Sequence, residues 1–224
     1  MSQSPAPASR PGALPLAAGA CAVLFAVLLA VLTVLVCARH GRPFAVDRSL
    51  HLWSVHHRPA GALVVARAVT ATGSGAFPYV CAVAAGLIAG RDARGRWWLA
   101  ASTLGLLLLA QATRYGLIRL VGRARPDEAD WAAPASNFAF PSGHTVTSAL
   151  VAGMLVWALA RRYGPAVAGI GGVLVVCWAL AVGLSRIYLG MHWPSDVLGG
   201  WLYAATWLGI GAVLARTRPL SRWS

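Results

Sequence analysis

Three short stretches concentrate groups that can do chemistry: VGRARP at 121–126, FPSGHT at 140–145 and SRIYLGMHWPSD at 185–196. They hold two histidines, His144 and His192, the carboxylate Asp196, and Arg123, Arg125 and Arg186. Arginine forks and backbone N–H groups suit a phosphoryl group, whose negative charge is spread over three oxygens. Pro141, Ser142, Gly143 and His144 precede an apolar run and read as a helix entrance, where free N–H groups carry partial positive charge. Ser142 is a suitable N-cap, and Gly143 lets the backbone approach an oxyanion closely. For Ser and Gly alone, a plain capped helix start is the simpler reading.

The histidines add more. A histidine at a membrane border can exchange protons with a reacting oxygen. Asp196 follows His192 by four residues, which on a helix places the carboxylate one turn away on the same face. Pro194 is tolerated in a first helical turn. An aspartate bonded to one ring nitrogen fixes the tautomer and leaves the other nitrogen as a nucleophile. Taken by itself, the pair equally fits a helix cap with a histidine beside it. Arg125 and Arg186 supply the cations that a phosphate reading needs.

The elements that must bring these stretches together are membrane spans. The chain is 224 residues long, 58% hydrophobic and 11% charged, with a mean hydropathy of +0.65, which fits poorly with an ordinary soluble domain. No Asp, Glu, Lys or Arg occurs in 11–38, 68–90, 97–113, 137–160, 163–185 or 197–215. Crossing a hydrocarbon core takes about 20 mostly apolar residues, so six spans can be drawn. Helices satisfy their own backbone in lipid, and alternating ten-residue strands are missing, so the expected fold is all-α, a six-helix membrane bundle. The expected organisation is a cytoplasmic tail over 1–13, a six-span domain over 14–215 and a basic cytoplasmic tail over 216–224. The first run is too long for the apolar part of a signal peptide and reads as a retained helix.

Six spans place all three chemical stretches on one membrane face. Arginines in the loop 91–96, at Arg161 and Arg162 and in the tail mark the opposite face as cytoplasmic, so the site is expected outside the cytoplasm. The net charge of +13 comes entirely from arginine, because the sequence has no lysine. These charges are dispersed over short loops, so anionic lipid headgroups, not nucleic acid, are the expected partners. The first outer connection carries Leu50, Trp53 and His57 at helical spacing and is expected to form an interfacial amphipathic helix. His51, His56 and His57 lack the carboxylates of a metal site. Cys21, Cys37, Cys81 and Cys177 have neither metal-ligand nor disulfide spacing and read as small apolar residues. Gly86, Gly90, Gly209 and Gly211 are expected to permit close helix packing.

Together the three stretches resemble the signature of the type 2 phosphatidic acid phosphatase superfamily, which includes the vanadium haloperoxidases. Its pattern is Lys-x6-Arg-Pro, Pro-Ser-Gly-His, then Ser-Arg-x5-His-x3-Asp. This chain matches at Arg125 and Pro126, at Pro141 to His144, and at Ser185, Arg186, His192 and Asp196. The resemblance implies that His192 attacks phosphorus, Asp196 orients it, and His144 protonates the leaving oxygen and then activates water. It further implies that Arg125, Arg186, Ser142 and the Gly143 N–H hold the phosphoryl oxygens without a metal or other cofactor.

One position departs, because the family lysine falls at Ile118. Arg119 is adjacent and Arg114 lies one helical turn earlier, so either is a candidate replacement. Arg123 either assists or meets Asp127, Glu128 or a headgroup. The expected activity is hydrolysis of a lipid phosphate or diphosphate, with polyprenyl diphosphate, phosphatidate and phosphatidylglycerol phosphate as candidates. Transfer to another acceptor, a vanadium-dependent peroxidase and a non-catalytic lipid-binding or transport protein are the alternatives.

Overall fold

A computed structural model describes residues 13–217, with eight α-helices, one 3-10 turn and no strand among the described residues. The expected tails lie outside the described residues apart from the helix ends at Ala13, Arg216 and Thr217. The helices are α1 (Ala13–Ala38), α2 (Ala45–His56), α3 (Ala60–Ala71), α4 (Phe77–Ala89), α5 (Ala93–Val121), α6 (Gly143–Tyr163), α7 (Pro165–Tyr188) and α8 (Pro194–Thr217). The starts follow ordinary end chemistry. Asp92 caps α5 by accepting the Gly95 N–H at 2.9 Å, and α7 opens on a proline.

Five helices, α1, α5, α6, α7 and α8, are long and apolar enough to cross a membrane. The expected second span, over 68–90, is not one helix. It is split into α3 and α4, each near 18–20 Å at about 1.5 Å per residue. Thr72, Gly73, Ser74 and Gly75 disfavour helix, and Gly75 has φ +63°. Polar side chains from neighbouring helices satisfy the break. The Thr147 hydroxyl donates to the Gly73 carbonyl at 2.5 Å, and the Trp178 indole donates to the Thr72 hydroxyl at 2.8 Å.

Helix α6 is the hub, packed on α4, α5, α7 and α8 around Leu107, Val146, Leu150, Val151, Met154 and Tyr203. Helices α1 and α8 run antiparallel: a Cβ on Gly209 would lie 2.6 Å from that of Ala22, while Gly19 faces Val213. Ala13 and Thr217 therefore share one end of the bundle. The entrances of α6 and α8 and the exits of α5 and α7 meet at the other.

Helix α2 occupies the expected first outer connection. Its Val46, Leu50, Leu52 and Trp53 are exposed, whereas Asp47, His51 and Ser54 are buried against the protein. This inside-out amphipathicity arises because the polar face has partners within the fold.

Candidate active site

Ser142 and Asp196 join the entrances of α6 and α8. The Ser142 N–H donates to the Asp196 carbonyl at 3.1 Å, which anchors the helix entrance bearing His144 beside the segment bearing His192. Ser142 occupies the expected cap position, but its buried hydroxyl makes no capping bond. Gly143 has a second role. A Cβ there would stand 2.8 Å from the Arg114 Cζ, so glycine is what lets that guanidinium reach the start of α6. The Arg114 Nε donates to the Pro141 carbonyl at 3.0 Å.

His192 is 1% exposed, and Asp196 is fully buried behind it. Arg125 Nη1 lies 2.8 Å from His192 Nε2. A guanidinium can only donate, so Nε2 carries the lone pair and the proton sits on Nδ1. Nδ1 in turn faces Asp196 Oδ2 at 3.4 Å without forming a hydrogen bond. Burial, and then the charges of Arg125 and Arg186, hold His192 well below the ordinary histidine range, so the imidazole is neutral. Arg125 also donates to the carbonyls of Met191, Asn137 and Ser136, each at 2.8 Å, which locks its fork in place.

A cavity of about 310 Å³ opens over these groups, and His144, His192, Arg114, Arg125 and Arg186 all line it. No carboxylate is among its lining residues. Arg186 is 3% exposed and donates to the Thr70 hydroxyl at 3.0 Å, while its buried Nε has no partner. Of the two candidate replacements for the missing lysine, Arg114 lines the cavity. Arg119 does not: it is exposed, bonds the Tyr115 hydroxyl and lies 4.6 Å over that ring. The cause is helical phase. Ile118 lines the cavity too, so a residue four positions away shares its face, and the adjacent one turns off it.

A family model described as the PAP2 superfamily matches residues 16–219. The chain belongs to the PAP2 superfamily. A crystal structure of a transmembrane PAP2-type phosphatidylglycerolphosphate phosphatase from Bacillus subtilis superposes with a TM-score of 0.76 at 22% identity, covering 89% of this chain and 98% of that one. That likeness shows the fold. Decaprenylphosphoryl-5-phosphoribose phosphatase of Mycolicibacterium smegmatis is 38% identical over 144 residues, 62% of this chain and 72% of that protein. Phosphatidylglycerophosphatase B of Bacillus subtilis is 38% identical over 86 residues, 36% of this chain and 40% of that protein. For sphingosine-1-phosphate phosphatase 1 of Rattus norvegicus the identity is 32%, over 39% of this chain and 23% of that protein. The chain thus spans less than half the length of these last two relatives.

Within this PAP2 site, the structure adds residues that sequence reasoning missed. Gly73, Ser74 and Gly75, the break in the second span, form one wall of the cavity, and Gln111 places a buried, unpartnered Oε1 beside it. A GSG run inside an apolar stretch was the available signal for the first. Nothing in the sequence distinguished Gln111. Arg123 pairs with neither Asp127 nor Glu128. It is 1% exposed and bonds Asp196 and Asp47 at 2.6 and 2.8 Å.

Proposed function

We propose that the protein hydrolyses a phosphate or diphosphate ester on a membrane lipid, through a phosphohistidine on His192. The contact between Arg125 and His192 Nε2 carries this reading, because it aims a neutral imidazole lone pair at a cavity lined by three guanidiniums. When substrate binds, its phosphoryl oxygens take the place of Nε2 at Arg125 and also meet Arg114, Arg186 and the N–H groups that open α6. His192 Nε2 attacks phosphorus in line and the bond to the leaving oxygen breaks. Asp196 faces Nδ1, closes on it as the ring becomes positive and balances that charge. His144 gives its proton to the leaving oxygen. It then takes one from water, whose oxygen attacks the phosphohistidine and releases inorganic phosphate.

The relatives are named for phosphates of lipids, and the spans beside the cavity leave a lipid tail in the bilayer, which supports a lipid substrate. Purified protein should release phosphate from lipid phosphates in the presence of EDTA, with His192→Ala as control. Release that survives in the variant, or that EDTA alone abolishes, contradicts the reading.

Arg114 stands in for the family lysine in this account. Arg114→Ala is expected to lower kcat by about 100- to 1,000-fold, the range for one lost oxyanion donor. Adding Ile118→Lys to that variant should restore most of the loss, and Ile118→Lys alone should leave phosphate release nearly unchanged.

The reading also places the cavity on the extracytoplasmic face and the arginines of loop 91–96 on the cytoplasmic face. A single cysteine introduced at Arg94 of a cysteine-free protein should resist an impermeant maleimide added to intact cells and react after lysis. Labelling in intact cells would reverse the orientation.

A further inference from the structure

The most completely buried ionic cluster in the described chain lies behind the cavity and outside its lining. Arg123, Asp47 and Asp196 are 1%, 0% and 0% exposed, and they come from three separate parts of the chain. Arg123 Nη1 donates to Asp196 Oδ1 at 2.6 Å and to the Ser195 hydroxyl at 2.7 Å. Nη2 donates to Asp47 Oδ2 at 2.8 Å, and Nε donates to the Gly41 carbonyl at 3.2 Å. Asp47 also accepts the Ser195 hydroxyl at 2.7 Å, the Ser195 N–H at 2.9 Å and the Phe44 N–H at 3.0 Å. It therefore serves one free N–H at the start of α8 from another helix.

The two oxygens of Asp196 are divided. Oδ1 belongs to Arg123, while Oδ2 accepts the Trp193 N–H at 2.8 Å and faces His192 Nδ1. An isolated buried carboxylate is costly, and two facing each other without a cation repel. Arg123 neutralises one charge of the pair and fixes the plane in which Asp196 presents Oδ2. From this we infer that Arg123 is a positioning residue for the reaction, acting on His192 through Asp196, and that Asp47 on α2 holds Arg123 in place. Helix α2 is thereby tied to the proposed nucleophile.

The inference rests on the lipid phosphatase reading, and its test compares kcat and KM in the purified full chain. Arg123→Met and Arg123→Lys are each made in the wild type and in Asp196→Asn. In the wild type, Arg123→Met should lose about 10- to 100-fold in kcat, the range found for residues that orient metal-binding histidines through a carboxylate, with KM little changed. Arg123→Lys, which still reaches one carboxylate, should recover part of that loss. In Asp196→Asn, neither substitution should lower the residual single-turnover rate by more than about twofold, because the coupled partner is already gone. Should Arg123→Met fail to fold, Arg123→Lys decides alone by the same comparison: a loss confined to the wild-type background supports the inference. Equal losses in both backgrounds, or a raised KM at unchanged kcat, would overturn it. Wild-type protein inert toward lipid phosphates overturns the functional reading and this inference with it. An active wild type whose kcat ignores Arg123 overturns this inference alone.

Discussion

His192→Ala should lower phosphate release by about 10⁴-fold or more, the scale on which enzymes with covalent intermediates lose rate when the nucleophile is removed. The expectation is this large because His144 is the one other imidazole, and no carboxylate is present, among the described residues that line the cavity. In the proposed mechanism the other cavity histidine, His144, serves the leaving oxygen, and the charged groups lining the cavity are guanidiniums, which carry no lone pair to offer. Substrate affinity should survive, since Arg114, Arg125 and Arg186 still face the same space. Binding of an unreacted lipid phosphate to His192→Ala should therefore stay within a few-fold of the wild-type KM. A collapse of both kcat and binding would mean that His192 holds the cavity together and does not attack.

The second large effect is expected at His144. In the proposed role of general acid and then general base it would contribute about 10²- to 10⁴-fold. Its loss is distinguishable from that of His192 by leaving group. With an aryl phosphate, whose leaving oxygen needs little protonation, His144→Ala should lose far less in the first chemical step than with an alkyl lipid phosphate. Hydrolysis of the phosphohistidine still needs a base, so the first step should then outrun the second and give a burst of released phenol. A loss of equal size for both substrates, without a burst, would contradict the assignment.

Much of this was legible before folding, for reasons that particular residues make plain. The charge-free runs announced membrane helices because lipid tolerates little else. The spacing of His192 and Asp196 suggested one face of a helix, but His192 precedes α8, and Asp196 in the first turn of α8 accepts the Trp193 N–H and faces the ring from there. The second span was misjudged as continuous. Hydropathy counts Thr72, Gly73, Ser74 and Gly75 as merely weak, whereas the fold satisfies their backbone and hydroxyl groups from Thr147 and Trp178, residues more than 70 positions away. Arg119 and Arg114 were equivalent on paper until the phase of α5 set Arg114 with Ile118 in the cavity and left Arg119 on Tyr115. Arg123 was the hardest to place. Its partner Asp47 lies 76 residues upstream, on a helix whose apolar side is exposed and whose polar side is buried.

The most direct test is to trap the enzyme with phosphate attached. Protein mixed with lipid phosphate for a few milliseconds and quenched in alkali should carry an alkali-stable, acid-labile phosphoryl group on the peptide containing His192. With an aryl phosphate as donor the amount should rise in His144→Ala, and with either donor it should vanish in His192→Ala. A wild-type and a His144→Ala enzyme that both turn over without any such phosphopeptide, or with the label on another residue, would contradict the account at its centre.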